Sequence, residues 1–253
     1  MSGTGRQLVV HHDTDLMARA TAARLITRIV DAQAARGTAS VVLTGGRNGN
    51  ALLAAVAASP ARDAVDWARL DLWWGDERFV PAADGDRNAV QARDELLAHV
   101  PLDPARVHEM PASDGVDGTD AEAAAARYAA ELAAAAEPGS TVPTFDVLLL
   151  GVGPDAHVAS LFPGHPGVRE RELTVVGVRE SPKPPPTRIS LTLPAIRAAR
   201  EVWLLAAGED KADAVALALG DPGEEEAPAS GAYGTERTLW LLDRTAAART
   251  RAA

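Results

Sequence analysis

The chain has 253 residues, 47% of them hydrophobic, with 35 acidic against 25 basic side chains and no cysteine. That length and apolar content suffice for a sizeable α/β core and exclude disorder of the chain as a whole. A formal charge of −10 argues against a nucleic-acid binder, which carries a basic surface or stripe, and the lack of cysteine excludes disulfides, a thiol nucleophile and thiolate metal sites.

The start, Met1 to Gln7, leads into Leu8-Val9-Val10 and His11-His12-Asp13. That apolar run is too short for a signal peptide or a membrane span, so a soluble cytoplasmic chain is expected. A strand at Gln7–His11, a helix at Asp13–Arg36 and a strand at Ser40–Thr44 follow. The turn Thr44-Gly45-Gly46-Arg47-Asn48-Gly49-Asn50 then enters a helix at Asn50–Ala58. A glycine turn opening a helix presents free backbone N–H groups and the positive end of the helix dipole, which suits a phosphate. It lacks the Gly-Lys-Ser/Thr ending of a nucleotide-binding loop, and tight turn geometry alone is the alternative.

A strand at Leu70–Trp74 runs into Gly75-Asp76-Glu77-Arg78. Asp76 can orient a water or sugar hydroxyls, and Arg78 can offer a fork of donors to a phosphate or carboxylate. In isolation a surface salt bridge in a loop would explain the cluster, and Trp73 and Trp74 read as core. Helices at Asn88–His99 and Asp120–Glu137 come next. In the second, Tyr128 and Leu132 at i, i+4 spacing give an apolar stripe that marks scaffold. Pro138 to Pro143 connects that helix to the next strand.

The strand at Phe145–Leu150 is apolar throughout and empties into Gly151-Val152-Gly153-Pro154-Asp155-Ala156-His157. Such strands are covered on both faces, and open α/β sheets bind ligands beyond the carboxyl ends of their strands. His157 is therefore a candidate general base, with a structural histidine as the alternative. Gly151-x-Gly153-x-x-Ala156, with Glu180 after the following strand, formally fits a dinucleotide fingerprint. Pro163-Gly164-His165-Pro166-Gly167 breaks the helix that this reading requires, and Asp155 would face the pyrophosphate.

A strand at Leu173–Val178 precedes Ser181-Pro182-Lys183-Pro184-Pro185-Pro186-Thr187-Arg188, where the prolines stiffen a loop carrying two cations before another extended run. A strand at Glu201–Ala206, a helix at Glu209–Leu219 with Lys211 at its start, a polar and acidic Gly220–Gly234 loop expected to be mobile, and a strand at Leu239–Leu242 complete the chain. Arg47, Arg78, Lys183, Arg188 and Lys211 are the candidate anion contacts, and most other arginines read as solvated helix surface. The alternation predicts an α/β, doubly wound, largely parallel sheet with helices on both faces, in a single domain spanning 1–253.

Four motifs, taken in order, resemble the 6-phosphogluconolactonases: the paired glycines after the second strand, Trp74-Gly75-Asp76-Glu77-Arg78, Gly151 to Pro163, and Ser181 to Leu193. The resemblance covers nearly the whole chain. It implies hydrolysis of 6-phosphoglucono-1,5-lactone, without a metal or cofactor, in the oxidative pentose phosphate pathway. His157 would activate water, with Asp155 and Asp76 as its catalytic companions. Gly45, Gly46, Arg47, Arg188 and Lys211 would hold the phosphate, with Arg78 and Lys183 in the substrate pocket. The implied partner is a small phosphorylated sugar lactone, and a monomer or small homo-oligomer is expected.

The glucosamine-6-phosphate deaminases resemble this pattern too, but carry a tyrosine where Arg78 stands and an acid where Phe162 stands. A sugar-phosphate-binding protein without catalysis is a further alternative. The chain departs from the lactonase pattern at Arg47, where a Ser or Thr often stands, and at Ala156, where the pattern has glycine. A positive φ at Ala156 would cost roughly 1 kcal/mol, and a folded, active protein is still expected.

Overall fold

The computed structural model describes residues 5–220 and 222–250. The Met1–Thr4 start and Asp221 of the acidic loop lie outside the described residues. Strands β1 (Arg6–His11), β2 (Ala39–Leu43), β3 (Leu70–Trp74), β5 (Val147–Gly151), β8 (Glu201–Ala206) and β9 (Arg237–Asp243) form one parallel sheet in the order β1-β9-β8-β5-β2-β3. The short strands β4 (Asp76–Arg78), β6 (Val175–Val178) and β7 (Arg188–Leu191) form a second, antiparallel sheet in the order β4-β7-β6.

The inner strands are apolar because both of their faces are covered: every residue of β8 and four of the five in β5 are buried. Trp73, Trp74, Trp203, Trp240, Tyr128 and Phe145 fill the core. Helix α1 (Thr14–Arg36) begins where the Asp13 carboxylate accepts the Leu16 N–H at 2.8 Å and ends at Gly37, whose φ of 82° only glycine adopts freely. Helices α2 (Gly46–Ala58), α3 (Asn88–Glu95), α4 (Ala121–Ala134), α5 (Leu193–Arg197) and α6 (Ala212–Leu219) complete the fold. The Tyr128 hydroxyl of α4 accepts the Trp74 N–H at 3.0 Å, so the apolar stripe of that helix is scaffold, as its spacing implies.

Three expectations are corrected. The segment Leu173–Val178 begins later, as β6, and lies in the antiparallel sheet rather than the parallel one. Arg188 is a buried strand residue of β7 and not part of a loop. The Gly220–Gly234 loop is packed in its second half: Ala227 to Ala232 are buried, and the Ala229 N–H bonds the Ala156 carbonyl at 3.0 Å. Among the described residues no helix is long and apolar enough to cross a membrane.

Candidate active site

The glycine turns that leave neighbouring strands β2 and β5 open side by side, at the carboxyl end of the sheet. They line a cleft of about 270 Å³ together with Asp76, Arg78, Asn88, His157, Lys183, Arg188 and Lys211. The sequence-predicted residues Gly45, Gly46 and Arg47 line it as well, and Asp155 stands behind His157 rather than on the wall.

Helix α2 starts four residues earlier than its periodicity predicts, so Gly46 and Arg47 are its first turn. Gly45 precedes it with no side-chain cap, and Gly46 has φ 75°. An uncapped first turn is short of acceptors for its N–H groups, which favours an anion there. Gly49 packs closely too, since a Cβ on it would lie 2.2 Å from the Thr44 carbonyl oxygen.

At the opposite wall, Ala156 has φ 62° and Ala159 φ 49°, which fold residues 153–159 into a tight turn. The turn brings His157 Nδ1 onto Asp155 Oδ1, with Lys183 Nζ 3.3 Å from Nδ1 and 3.5 Å from Oδ1. Partial burial works against ionisation of Asp155, but the hydrogen bond to His157 and the charges of His157 and Lys183 outweigh it, holding the carboxyl well below the usual range. An ionised carboxylate only accepts, so Nδ1 carries the proton of that bond, and a neutral imidazole so held has its lone pair on Nε2. No α-helix follows this turn before α5, so the geometry of a dinucleotide fingerprint is absent there.

Asp76 and Arg78 alternate with Glu77 along β4. The outer two line the cleft, and Glu77 turns inward. Asp76 Oδ2 accepts from the buried Ser160 hydroxyl at 2.7 Å, which fixes the carboxylate beside the histidine turn. The cluster is not a surface salt bridge in a loop. The Arg78 guanidinium donates to the Asp86 carbonyl, and the partner of Glu77 is Arg87, at 3.8 Å. Burial raises the Glu77 pKa, against the charge of Arg87 and the N–H groups of Ala89, Asn88 and Arg78. Arg87 is 2% exposed and so departs from the solvated-arginine expectation.

Arg188 Nε and Nη2 donate to the carbonyls of Pro185, Lys183 and Pro184 at 3.0 to 3.2 Å, leaving Nη1 for a ligand. Lys211 has its amine pKa lowered by burial, with Asp210 opposing and Lys183 and Arg47 reinforcing the shift. Asp210 balances Arg47 at 3.3 Å and Lys211 at 3.5 Å. Five cations around one cleft leave a surplus of positive charge suited to a phosphorylated ligand.

Sequence reasoning missed Asn48 and Asn88, whose buried Oδ1 atoms have no hydrogen-bond partner, and the bracing role of Ser160. Asn48 and Ser160 lie inside motifs that drew notice for other residues; Asn88 lies at a helix start with no chemical signal of its own.

The model of a family described as glucosamine-6-phosphate isomerases/6-phosphogluconolactonase matches residues 12–240. The chain is 73% identical over 245 residues to the 6-phosphogluconolactonase of Streptomyces coelicolor, covering 96% of this chain and 94% of that protein. It is 53% identical over 237 residues to the 6-phosphogluconolactonase of Mycobacterium tuberculosis, covering 94% and 95%. The solved 6-phosphogluconolactonase of Trypanosoma brucei superposes with a TM-score of 0.84 at 28% identity, covering 99% of this chain and all of that one.

Proposed function

The chain belongs to the glucosamine-6-phosphate isomerase/6-phosphogluconolactonase family, and on that premise we propose that His157 is the base with which it opens a sugar lactone. The enzyme is a 6-phosphogluconolactonase: it hydrolyses 6-phospho-D-glucono-1,5-lactone to 6-phospho-D-gluconate in the pentose phosphate pathway. Its residues 1–253 act as one cytoplasmic domain, as a monomer or small homo-oligomer.

The lactone is an activated ester, and it needs an oriented water, a base and stabilisation of charge on the carbonyl oxygen. His157 Nε2 takes a proton from water as the water oxygen bonds to C1. The C1–ring oxygen bond then breaks, and the same proton passes to the departing ring oxygen. Asp155 holds the imidazole by Nδ1, Asp76 orients water and sugar hydroxyls, and Lys183 and Arg78 face the developing charge. The Gly45-Gly46 turn with Arg47, Arg188 and Lys211 grips the phosphate, so that binding energy remote from C1 lowers the barrier at C1.

The observation that carries this reading is the Asp155–His157 pair facing, across one cleft, an uncapped helix start ringed by cations. Phe162 supports lactone rather than amino-sugar chemistry: its ring lies 4.6 Å from that of His157, where a deaminase would place an acid.

The test is proton release from fresh 6-phosphogluconolactone with wild type, His157→Ala and no enzyme. Wild-type hydrolysis far above background, falling roughly 10²- to 10⁴-fold in the variant, is the expected result. Background rates with both proteins, or ammonia release from glucosamine 6-phosphate, would overturn it.

A further inference from the structure

Asn88 opens α3 at the rim of the cleft and is 2% exposed. We propose that it is a positioning residue that fixes the separation between the phosphate turn and the reacting end of the site. The inference rests on the reading that Gly45-Gly46 receives the phosphate.

One end of its amide is set by chemistry. Nδ2 donates to the Asp76 carbonyl at 2.8 Å, and because that partner only accepts, the nitrogen must face it. The other end lies against the phosphate turn: a Cβ built on Gly45 would fall 1.8 Å from Asn88 Oδ1 and 2.4 Å from Cγ. Gly45 is thus glycine because the Asn88 carbonyl occupies its side-chain space. Oδ1 is buried there without a hydrogen bond, an arrangement that costs free energy and that an apolar side chain of similar size would avoid.

The side chain is also braced from behind. The Asn88 and Ala89 N–H groups donate to the Glu77 carboxylate at 2.7 and 2.9 Å. Arg87 Nη2 lies 3.8 Å from that carboxylate and donates to the Met110 carbonyl at 2.6 Å. The amide therefore acts as a spacer of fixed length between Gly45, under the phosphate, and Asp76, beside the sugar. A displacement of order 1 Å between binding and reacting groups is enough to cost about 10²-fold in rate.

A spacer and a merely structural residue differ in how they treat two substrates. The experiment measures kcat, KM and unfolding temperature for wild type, Asn88→Ala, Asn88→Ser, Gly45→Ala and the Gly45→Ala/Asn88→Ala pair, on 6-phosphogluconolactone and on unphosphorylated gluconolactone. Both Asn88 variants should lose at least about tenfold in kcat on the phosphorylated lactone while changing about twofold or less on the other. Gly45→Ala should be inactive and regain activity when Asn88→Ala removes the colliding oxygen.

Equal losses on both lactones, no loss on either, or a Gly45→Ala defect that Asn88→Ala leaves unrelieved would overturn the proposal. A wild type that treats the two lactones alike would overturn the phosphate assignment itself, whatever the variants do.

Discussion

Thr44 and Gly151, at the carboxyl ends of adjacent strands β2 and β5, are joined by a 3.2 Å hydrogen bond from the Gly151 N–H to Thr44 Oγ1. It ties the turn assigned to phosphate to the turn that carries His157. Each turn follows its own strand, so neither strand alone fixes their mutual position.

Thr44→Val keeps the shape of the side chain and removes the acceptor. Loss of the bond should cost about 1–2 kcal/mol in denaturant unfolding, and kcat should fall with it. Thr44→Ser should restore both. A valine variant with wild-type stability and kcat would show that the bond does not couple the turns.

Asp155→Asn tests the orientation of the imidazole. The asparagine matches the size of the carboxylate but can present an N–H to Nδ1, which favours the wrong tautomer. Turnover should fall roughly 10²- to 10⁴-fold with little change in KM. Because the folded Asp155 pKa lies below its ordinary value, its stabilising contribution is complete above about pH 4 and is lost only as pH falls further. Wild-type stability lost between pH 7 and 5 should therefore not trace to protonation of Asp155, and a decline over that range that is present in wild type and absent in Asp155→Asn would contradict this assignment.

The parallel sheet was legible because β5 and β8 are continuous apolar runs, and the cleft was legible because its glycine turns follow such strands. The antiparallel sheet was not. The three residues of β4 carry no usable periodicity, the β6 segment reads as a strand without revealing its antiparallel partner, and Arg188 reads as a loop cation until its pairing with β4 buries it. Pairing across long separations escaped for a related reason: nothing near Glu77 in sequence marks Arg87 rather than Arg78 as its partner. The departure at Ala156 was readable from one residue, because only a positive φ makes the missing glycine matter.

Ala156 is fully buried at φ 62°, and its Cβ carries the strain that glycine would not. Ala156→Gly should stabilise the protein by about 0.5–1 kcal/mol in thermal or denaturant unfolding, with activity retained. A destabilised glycine variant would mean that packing of the methyl group outweighs the backbone strain.

His108 lies far from the catalytic turn and gives the fold a pH dependence of its own. Its ring stacks on Trp73 with centroids 3.7 Å apart and planes 5° from parallel. Nδ1 is 2.7 Å from Glu131 and Nε2 3.6 Å from Asp71. Burial opposes the charged form, but the two carboxylates prevail and raise the pKa to about 9. A folded pKa above the unfolded one gives stability that is fully present below about pH 6.5 and is lost as pH rises through about 9. Glu131 reaches solvent, which screens the interaction, so the loss should be about 1–2 kcal/mol rather than the full value of the shift. Urea unfolding at pH 6, 8 and 10 should show this decline in wild type and a flatter profile in His108→Gln, with the two proteins closest at pH 10. Parallel profiles for the two proteins would mean that the charge on His108 contributes nothing to the fold.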